Sequence, residues 1–168
     1  MKNIIILNGC PRKNGSTQAL VNAFREGAES AGHQVEEFDL CRMDIHGCIG
    51  CLGARNDPYR PCTQKDDMER VYGAFAECDV VVFASPVYFW TVAGDLKLAA
   101  DRLYAELECL GYEGFPRESV LLMTAGGADY SQATRWYRTY ERNLGWHSLG
   151  EVLGAGKTGE ARELGASI

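Results

Sequence analysis

The stretch 4-IIILNGCPRKNGST-17 decides the fold class of this chain. Four apolar residues typical of a buried strand run into a loop rich in Gly, Asn and hydroxyl residues, and a helix opens at Ser16. The first N–H groups of such a helix have no partners within it, and the helix dipole adds partial positive charge at the same point. The stretch therefore predicts a site for a phosphate group.

Three familiar phosphate loops do not match this segment. A Walker loop has four residues between its glycines and then Lys, whereas five residues separate Gly9 from Gly15 here and Ser16 follows. The dinucleotide fingerprint G-x-G-x-x-G is absent. A cysteine phosphatase loop would need Arg where Ser16 follows Cys10, so phosphoenzyme chemistry is not expected. A turn-rich helix entry without a ligand is the plain alternative.

Size and charge narrow the class of protein. The chain has 168 residues, enough for one domain with a sizeable core, and we expect a single domain over residues 1–168. Its net charge of -6, without a run of Lys or Arg between aromatics, argues against a nucleic-acid partner. The apolar run 4–7 is too short for a signal peptide or a membrane span. We therefore expect a cytoplasmic protein with no membrane partner.

Apolar runs and amphipathic stretches alternate five times along the chain. The expected strands are 2–7, 35–39, 80–84, 119–124 and 146–153, and the expected helices are 16–31, 66–77, 93–109, 131–144 and 159–164. This alternation predicts an α/β fold with a doubly wound, five-stranded parallel sheet. Ligands of such sheets bind beyond the carboxyl ends of the strands, which here are the loops 8–16, 85–92 and 125–130.

The second and third of these loops predict a place for a flat heterocycle. The loop SPVYFW (85–90) follows the most buried strand and offers Tyr88, Phe89 and Trp90 where polar residues would be usual. The alternative is that Phe89 and Trp90 fill the core or a subunit interface. The loop TAGG (124–127) has two glycines whose N–H groups can point at a neighbour, although a plain strand-to-helix turn would look similar.

These segments together resemble the flavodoxin-like NADPH-dependent FMN reductases, including their iron–sulfur flavoprotein branch, over nearly the whole chain. The motifs that carry the resemblance are G-x-P-R-K-N-G-S-T at 9–17, D-D-M at 66–68, S-P-V-Y-F at 85–89, L-K at 96–97 and D-R at 101–102. The resemblance implies a flavodoxin-like sheet with strand order 2-1-3-4-5.

The resemblance also implies which residues hold an FMN cofactor. It assigns the FMN phosphate to Cys10, Arg12, Asn14, Ser16 and Thr17. It assigns the isoalloxazine ring to Pro86, Val87, Tyr88, Phe89, Ala125, Gly126 and Gly127. The family usually has Ser at the position of Cys10. Because a thiol is a weaker hydrogen-bond partner, more of the phosphate binding would fall to backbone amides.

The chain has an odd number of cysteines and no export signal, which favours free thiols or metal binding over disulfides. The seven are Cys10, Cys41, Cys48, Cys51, Cys62, Cys78 and Cys109. The iron–sulfur branch carries C-x2-C-x2-C and then a fourth Cys. This chain has Cys48, Cys51 and Cys62, but Ala54 stands in the third place. A cubane cluster would have to recruit Cys41 or a group from another subunit, so we expect no cluster.

Zinc is the other metal considered for the cysteine loop. His46 with Cys48, Cys51 and Cys62 would make a Cys3His set, but the spacing is irregular and has only one close Cys pair. Buried or free thiols are the alternative, and no metal ligand is assigned.

The resemblance implies an FMN-dependent oxidoreductase that takes hydride from NAD(P)H and passes electrons to a small acceptor, such as a quinone, free flavin or a redox protein. No catalytic acid or base is required for hydride transfer, and none is assigned. His33, His46 and His147 are scattered and form no triad. Because members of the family often form dimers or tetramers, the resemblance also implies a homodimer or homotetramer. The 41–62 loop, Trp90 and Trp136 would contribute to its subunit interface.

Two other functions stay open. A flavodoxin-type electron carrier is the first; its flavin loops are typically acidic, whereas SPVYFW and TAGG contain no carboxylate. A redox or metal sensor built on the cysteine loop is the second.

Overall fold

Strands and helices alternate along the chain in the computed structural model, which describes residues 1–115 and 117–168. The strands are β1 (Asn3–Asn8), β2 (Gln34–Asp39), β3 (Val80–Tyr88), β4 (Thr91–Val92), β5 (Glu118–Thr124) and β6 (His147–Leu153). The helices are α1 (Ser16–Ser30), α2 (Met68–Glu77), α3 (Gly94–Arg102), α4 (Tyr104–Gly114), α5 (Ser131–Leu144) and α6 (Thr158–Ala166), and a single 3-10 turn covers Leu40–Arg42.

The central sheet has the strand order β2-β1-β3-β5-β6, and all of these strands run parallel. The two-residue strand β4 pairs antiparallel with the end of β3. Without β4, the five long strands have the order 2-1-3-4-5 in chain order. The doubly wound, five-stranded parallel sheet expected from the sequence is therefore confirmed, and its order reverses between β1 and β3.

The sheet is buried on both faces. Alternate residues such as Leu7, Phe83 and Leu121 face a cluster with α2, α3, α4 and α5. Ile6, Val82 and Leu122 face a second cluster with α1 and α6 on the opposite side. A strand covered on both faces needs an unbroken apolar run, which explains the sequences IIIL and VVVFA.

Helices α1 and α6 touch each other through their backbones. A Cβ added at Gly27 would lie 2.1 Å from the carbonyl oxygen of Arg162, and one at Gly165 would lie 2.2 Å from that of Phe24. Only glycine fits at either position, so these two residues fix α6 against the first helix.

The helix predicted over 93–109 is wrong in one respect, because it is two helices. Helix α3 ends at Arg102, where the Leu103 N–H donates to the carbonyl of Ala99, and α4 starts at Tyr104. The apolar spacing continues through the break, since Leu103 and Leu107 are both buried, so periodicity could not reveal it.

Within the described ranges, no helix is long and apolar enough to cross a membrane.

The loop predicted over 85–92 is instead a β-hairpin. Strand β3 continues to Tyr88, and Val87 and Tyr88 lie opposite Val92 and Thr91. The buried Ser85 hydroxyl accepts a hydrogen bond from the Ala93 N–H at 2.8 Å and donates to the Pro86 carbonyl at 2.7 Å, which closes the hairpin base. The two residues at its tip have φ values of 47° and 67°. Such left-handed conformations are strained for residues other than Gly, Asn and Asp.

Helix α4 buries one carboxyl group that accepts no hydrogen bond from the described residues. Glu106 is fully buried, and neither of its carboxylate oxygens has a hydrogen-bond partner in the parts of the chain that are described. Burial raises the pKa of Glu106 from its ordinary 4.5 to about 8, with Arg117 opposing the shift. The folded protein therefore holds a proton on Glu106 over a pH range in which the unfolded chain has lost it.

The strained hairpin tip predicts a stabilised variant. Replacing Phe89 and Trp90 by Asn and Gly, which suit a two-residue turn with positive φ, should raise the free energy of unfolding by about 1 kcal/mol. The measurement is urea denaturation followed by circular dichroism. Replacing both by Ala removes the rings and keeps the strain, so that control should show no gain. Equal stability of the Asn-Gly variant and the Ala-Ala control would contradict the strain argument.

The buried carboxyl predicts a pH-dependent stability. The contribution of Glu106 to the unfolding free energy is fully present below pH 4.5 and is lost as the pH rises toward about 8. Each unit of pKa difference corresponds to about 1.4 kcal/mol. Glu106→Gln should remove this part of the pH dependence and be more stable than the parent above about pH 8 in denaturant titrations. Glu108→Gln, at an exposed position of the same helix, should leave the dependence intact.

Candidate cofactor site

The three loops that the sequence singled out meet at one edge of the sheet. The Gly9 N–H donates to the carbonyl of Ala84 at 2.9 Å, which joins the ends of β1 and β3. Pro86 lies opposite Thr124 in the β3–β5 register. The hydroxyls of Thr17 and Thr124 are 2.6 Å apart, so the start of α1 is also joined to the end of β5.

The first loop presents the uncapped start of α1. Gly15 is the N-cap residue in an extended conformation, and no side chain caps the helix. The loop is closed upon itself by a hydrogen bond from the Gly15 N–H to the Arg12 carbonyl at 3.0 Å. Arg12, Asn14 and Ser16 are exposed around this point. The first turn therefore offers main-chain N–H donors, with one guanidinium nearby in sequence, to an anion from solvent.

The other two residues assigned to the phosphate are buried. The Cys10 thiol is 3% exposed and donates to the Arg12 carbonyl at 3.4 Å. The Thr17 side chain is occupied by its contact with Thr124. Both side chains thus hold the loop in shape, and a phosphate would meet their main chain. A buried thiol bound to its own loop is also unsuited to the nucleophilic role of a phosphatase cysteine.

Asn8 organises the first loop, and sequence reasoning did not identify it. It is fully buried, and its Oδ1 accepts the Cys10 N–H at 2.9 Å. Its Nδ2 donates to Gln18 Oε1 at 2.7 Å and to Glu37 Oε1 at 2.8 Å. The available signal was a polar residue that ends an otherwise apolar strand just before the glycine.

The second and third loops enclose a cleft of about 500 Å³. Its lining consists of Val87, Tyr88, Phe89, Trp90, Ala125, Gly126, Gly127, Ala128 and Asp129. Six of the seven residues that the resemblance assigned to the isoalloxazine thus lie together, and Pro86 is buried beside them. Phe89 is 90% exposed and Trp90 is 58% exposed, so these two rings do not fill the core. A Cβ at Gly126 or Gly127 would meet nothing within 4 Å, which leaves that side open.

Two details of the third loop go beyond the sequence analysis. The Ala125 N–H donates to the Tyr130 hydroxyl at 3.1 Å and is therefore already used within the protein. Asp129 brings a carboxylate to the cleft, although SPVYFW and TAGG contain none. Hydrogen bonds from Ser131 lower the pKa of Asp129, so this group is charged at neutral pH.

The cysteine loop lies elsewhere and is anchored by a buried ion pair. The Arg102 guanidinium binds both oxygens of Asp66, at 2.5 and 3.1 Å, and also donates to the His46 carbonyl at 2.8 Å. The two side chains are 1% and 0% exposed. Asp66 also accepts the N–H groups of His46 and Met68. The D-D-M and D-R motifs therefore form one clamp that holds the start of the loop.

The cysteines of this chain do not fit a four-iron cluster. Cys48, Cys51 and Cys62 line one cavity, where the third cysteine position is occupied by the methyl group of Ala54. Cys41 is bound elsewhere, since its thiol donates to Asp95 at 3.2 Å, and burial with Asp95 raises its pKa to about 12. Across residues 1–115 and 117–168, no three His, Cys, Asp or Glu side chains are grouped to hold a metal ion. We derive no reaction step through such a group.

Known proteins resemble the chain at the level of sequence. The family model of NADPH-dependent FMN reductases matches residues 2–158. An iron–sulfur flavoprotein of Archaeoglobus fulgidus is 34% identical over 105 residues, which cover 61% of this chain and 46% of that protein. An iron–sulfur flavoprotein of Clostridioides difficile is 28% identical over 151 residues, or 89% of this chain and 65% of that protein. The chain thus spans about half to just under two thirds of the length of these relatives.

Solved structures agree on the fold. An NAD(P)H:quinone oxidoreductase from Methanothermobacter marburgensis has a TM-score of 0.76 at 19% identity, covering 98% of this chain and 94% of its own. An azoreductase from Bacillus anthracis has a TM-score of 0.70 at 16% identity over the full length of both chains. With the family match covering nearly all of the sequence, these observations lead to one conclusion: the chain belongs to the NADPH-dependent FMN reductase family.

Proposed function

We propose that this protein is an FMN-dependent NAD(P)H oxidoreductase that passes electrons to a small acceptor. The observation that carries the proposal is the meeting of two features at one sheet edge. One is the uncapped first turn of α1 after Gly15, which we call the anion seat. The other is the cleft between the β3–β4 hairpin and the 125–129 loop. An anion seat beside a cleft of this kind matches a nucleotide with a flat ring system.

The chain's residues fit the two ends of FMN. The main-chain N–H groups at Ser16 and Thr17, with Arg12 nearby in sequence, would bind the phosphate, and Asn8 fixes the loop that carries them. The hairpin residues 86–89 and the residues 125–127 would bind the ring. When bound, FMN supplies hydride acceptance from NAD(P)H and electron transfer to an acceptor. The protein's part would be to hold the ring in the cleft, whose open side would give a partner access.

An enzyme is favoured over a flavodoxin-type carrier because the cleft is open. A hydride donor and then an acceptor must each reach the flavin. The exposed rings of Phe89 and Trp90, 6.1 Å apart, offer an apolar surface on which a planar partner can lie. Strained backbone at these two positions favours a functional role for their side chains. Asn and Gly would form the same turn without strain, but they would not supply aromatic rings. Asp129 is the one feature at the cleft that favours a carrier.

Quinones are the acceptor class with the most support. The neighbour from Methanothermobacter marburgensis bears the name of an NAD(P)H:quinone oxidoreductase, and the aromatic hairpin tip suits a planar ring. Free flavin or a redox protein is the alternative acceptor. We further propose that the protein is cytoplasmic and forms a homodimer or homotetramer. The groove on α5 that Trp136, Tyr140 and Leu144 line is apolar surface that a second subunit would cover.

Flavin binding and reduction test the proposal directly. The purified protein, supplied with FMN and freed of excess cofactor, should show a flavin absorbance spectrum that bleaches on anaerobic addition of NADPH or NADH. Added quinone should restore the absorbance. If the protein binds FMN but neither NADPH nor NADH reduces it, the protein is a carrier and not an enzyme. If the folded protein binds no FMN, the proposed site is wrong.

A pair of substitutions at opposite ends of α1 tests whether the anion seat binds the phosphate of FMN. Ser16→Leu places an apolar side chain over the N–H donors and should weaken FMN binding at least tenfold, or about 1.4 kcal/mol. Ser30→Leu makes the same change at the last residue of the helix and should leave the Kd unchanged. The measurement is quenching of flavin fluorescence on titration with protein. Equal affinities of the two variants would show that the phosphate lies elsewhere.

A further inference from the structure

A second cavity lies under the cysteine loop and shares no lining residue with the flavin cleft. Its walls include Cys48, Cys51, Cys62 and the guanidinium of Arg102. The oxidoreductase proposal makes no use of it. Three thiols at one cavity, in a chain whose relatives are named for iron–sulfur clusters but whose donor set lacks the fourth ligand, require a separate explanation.

Cys48 and Cys51 have the sequence spacing of a thiol pair that can be oxidised to a disulfide. Both are exposed free thiols, and only Ile49 and Gly50 separate them. Gly50 has φ 63°, a left-handed conformation that suits glycine, and both cysteines border the same cavity. In a reducing compartment, C-x-x-C is a spacing at which two thiols form a reversible disulfide.

Cys51 is the more nucleophilic of the two. Its sulfur lies 3.5 Å from the Thr63 hydroxyl, and hydrogen bonds from Thr63 and from the Gly53 main chain lower its pKa. Arg102 adds a smaller effect because Asp66 balances its charge.

Cys62 is less suited to be the partner. It is half-buried, and its thiol lies against the hydroxyl of the buried Tyr72. To form a disulfide with Cys51, the Cys62 sulfur would have to leave its contact with the Tyr72 hydroxyl.

We propose that Cys48 and Cys51 form a thiol–disulfide exchange site for low-molecular-weight disulfides. The Cys51 thiolate attacks one sulfur of the small disulfide, the S–S bond breaks, and one small thiolate leaves with the electron pair and takes a proton from water. Cys48 then loses its proton to water and attacks the Cys51 sulfur, which releases the second small thiol. Two protein thiols are oxidised to one disulfide, and one small disulfide is reduced to two thiols.

Mass spectrometry of the full-length protein tests this site without reference to FMN. The protein is reduced, freed of reductant under nitrogen, incubated with oxidised glutathione, alkylated and digested with trypsin. Cys48 and Cys51 lie in one tryptic peptide, residues 43–55, and Cys62 lies in the next, residues 56–65. The expected product is peptide 43–55 with two hydrogens lost and neither cysteine alkylated.

Single substitutions separate the roles of the two cysteines. Cys48→Ser should retain one glutathione on Cys51, because the resolving thiol is gone. Cys51→Ser should slow the loss of the Cys48 thiol at least about tenfold. Thr63→Val should slow alkylation of Cys51 without changing that of Cys109. Cys62→Ser is the matched control from the same cavity and should behave like the parent.

Several results would overturn the site. One is a disulfide that links peptide 43–55 to peptide 56–65. Another is reaction of Cys48, Cys51 and Cys109 at equal rates. A third is iron or zinc that co-purifies with the parent protein and is lost in Cys48→Ser, since a bound metal would occupy the thiols.

Discussion

The parallel pairing of β1, β3 and β5 is the constraint on which the rest of this molecule depends. In a parallel sheet every carboxyl end lies at the same edge, so three loops far apart in sequence are delivered to one place. The contacts Gly9–Ala84 and Thr17–Thr124 join those loops directly. The anion seat comes from one loop, and the cleft requires the other two.

Two features shape this edge of the sheet: buried polar side chains in the first loop and a strained backbone at the hairpin tip. Asn8 has its side-chain oxygen and nitrogen fully engaged in holding the first loop, while Cys10 and Thr17 turn their side chains inward. The main-chain donors are thereby left to solvent and to a ligand. On the opposite side, the left-handed Phe89 and Trp90 keep two aromatic rings out of the core. The strained hairpin tip lowers the stability of the fold, and such strain is found most often at functional sites.

The cysteine loop shows how one substitution changes the chemistry available to a family motif. The Asp66–Arg102 clamp fixes the start of the loop, and Cys48, Cys51 and Cys62 still border one cavity. With Ala54 in the third position and Cys41 bound to Asp95, the donor set is too small for a cubane. What is left is two exposed thiols in a C-x-x-C spacing at the edge of that cavity.

The amino-acid sequence was enough to predict the parallel α/β class, the five long strands and the three loops, because burial on both faces demands unbroken apolar runs and helix starts demand particular residues. The order of the strands came from the family resemblance. The family resemblance assigned Val87, Tyr88, Gly126 and Gly127 to one ring, and these four residues line one cleft. Their binding of FMN stays a prediction. Only the tertiary structure decided that 85–92 is a hairpin, that the 93–109 helix breaks at Leu103, and that Asp129, Asn8 and the Asp66–Arg102 pair matter. These depend on contacts between residues distant in sequence, which neither local propensity nor periodicity records.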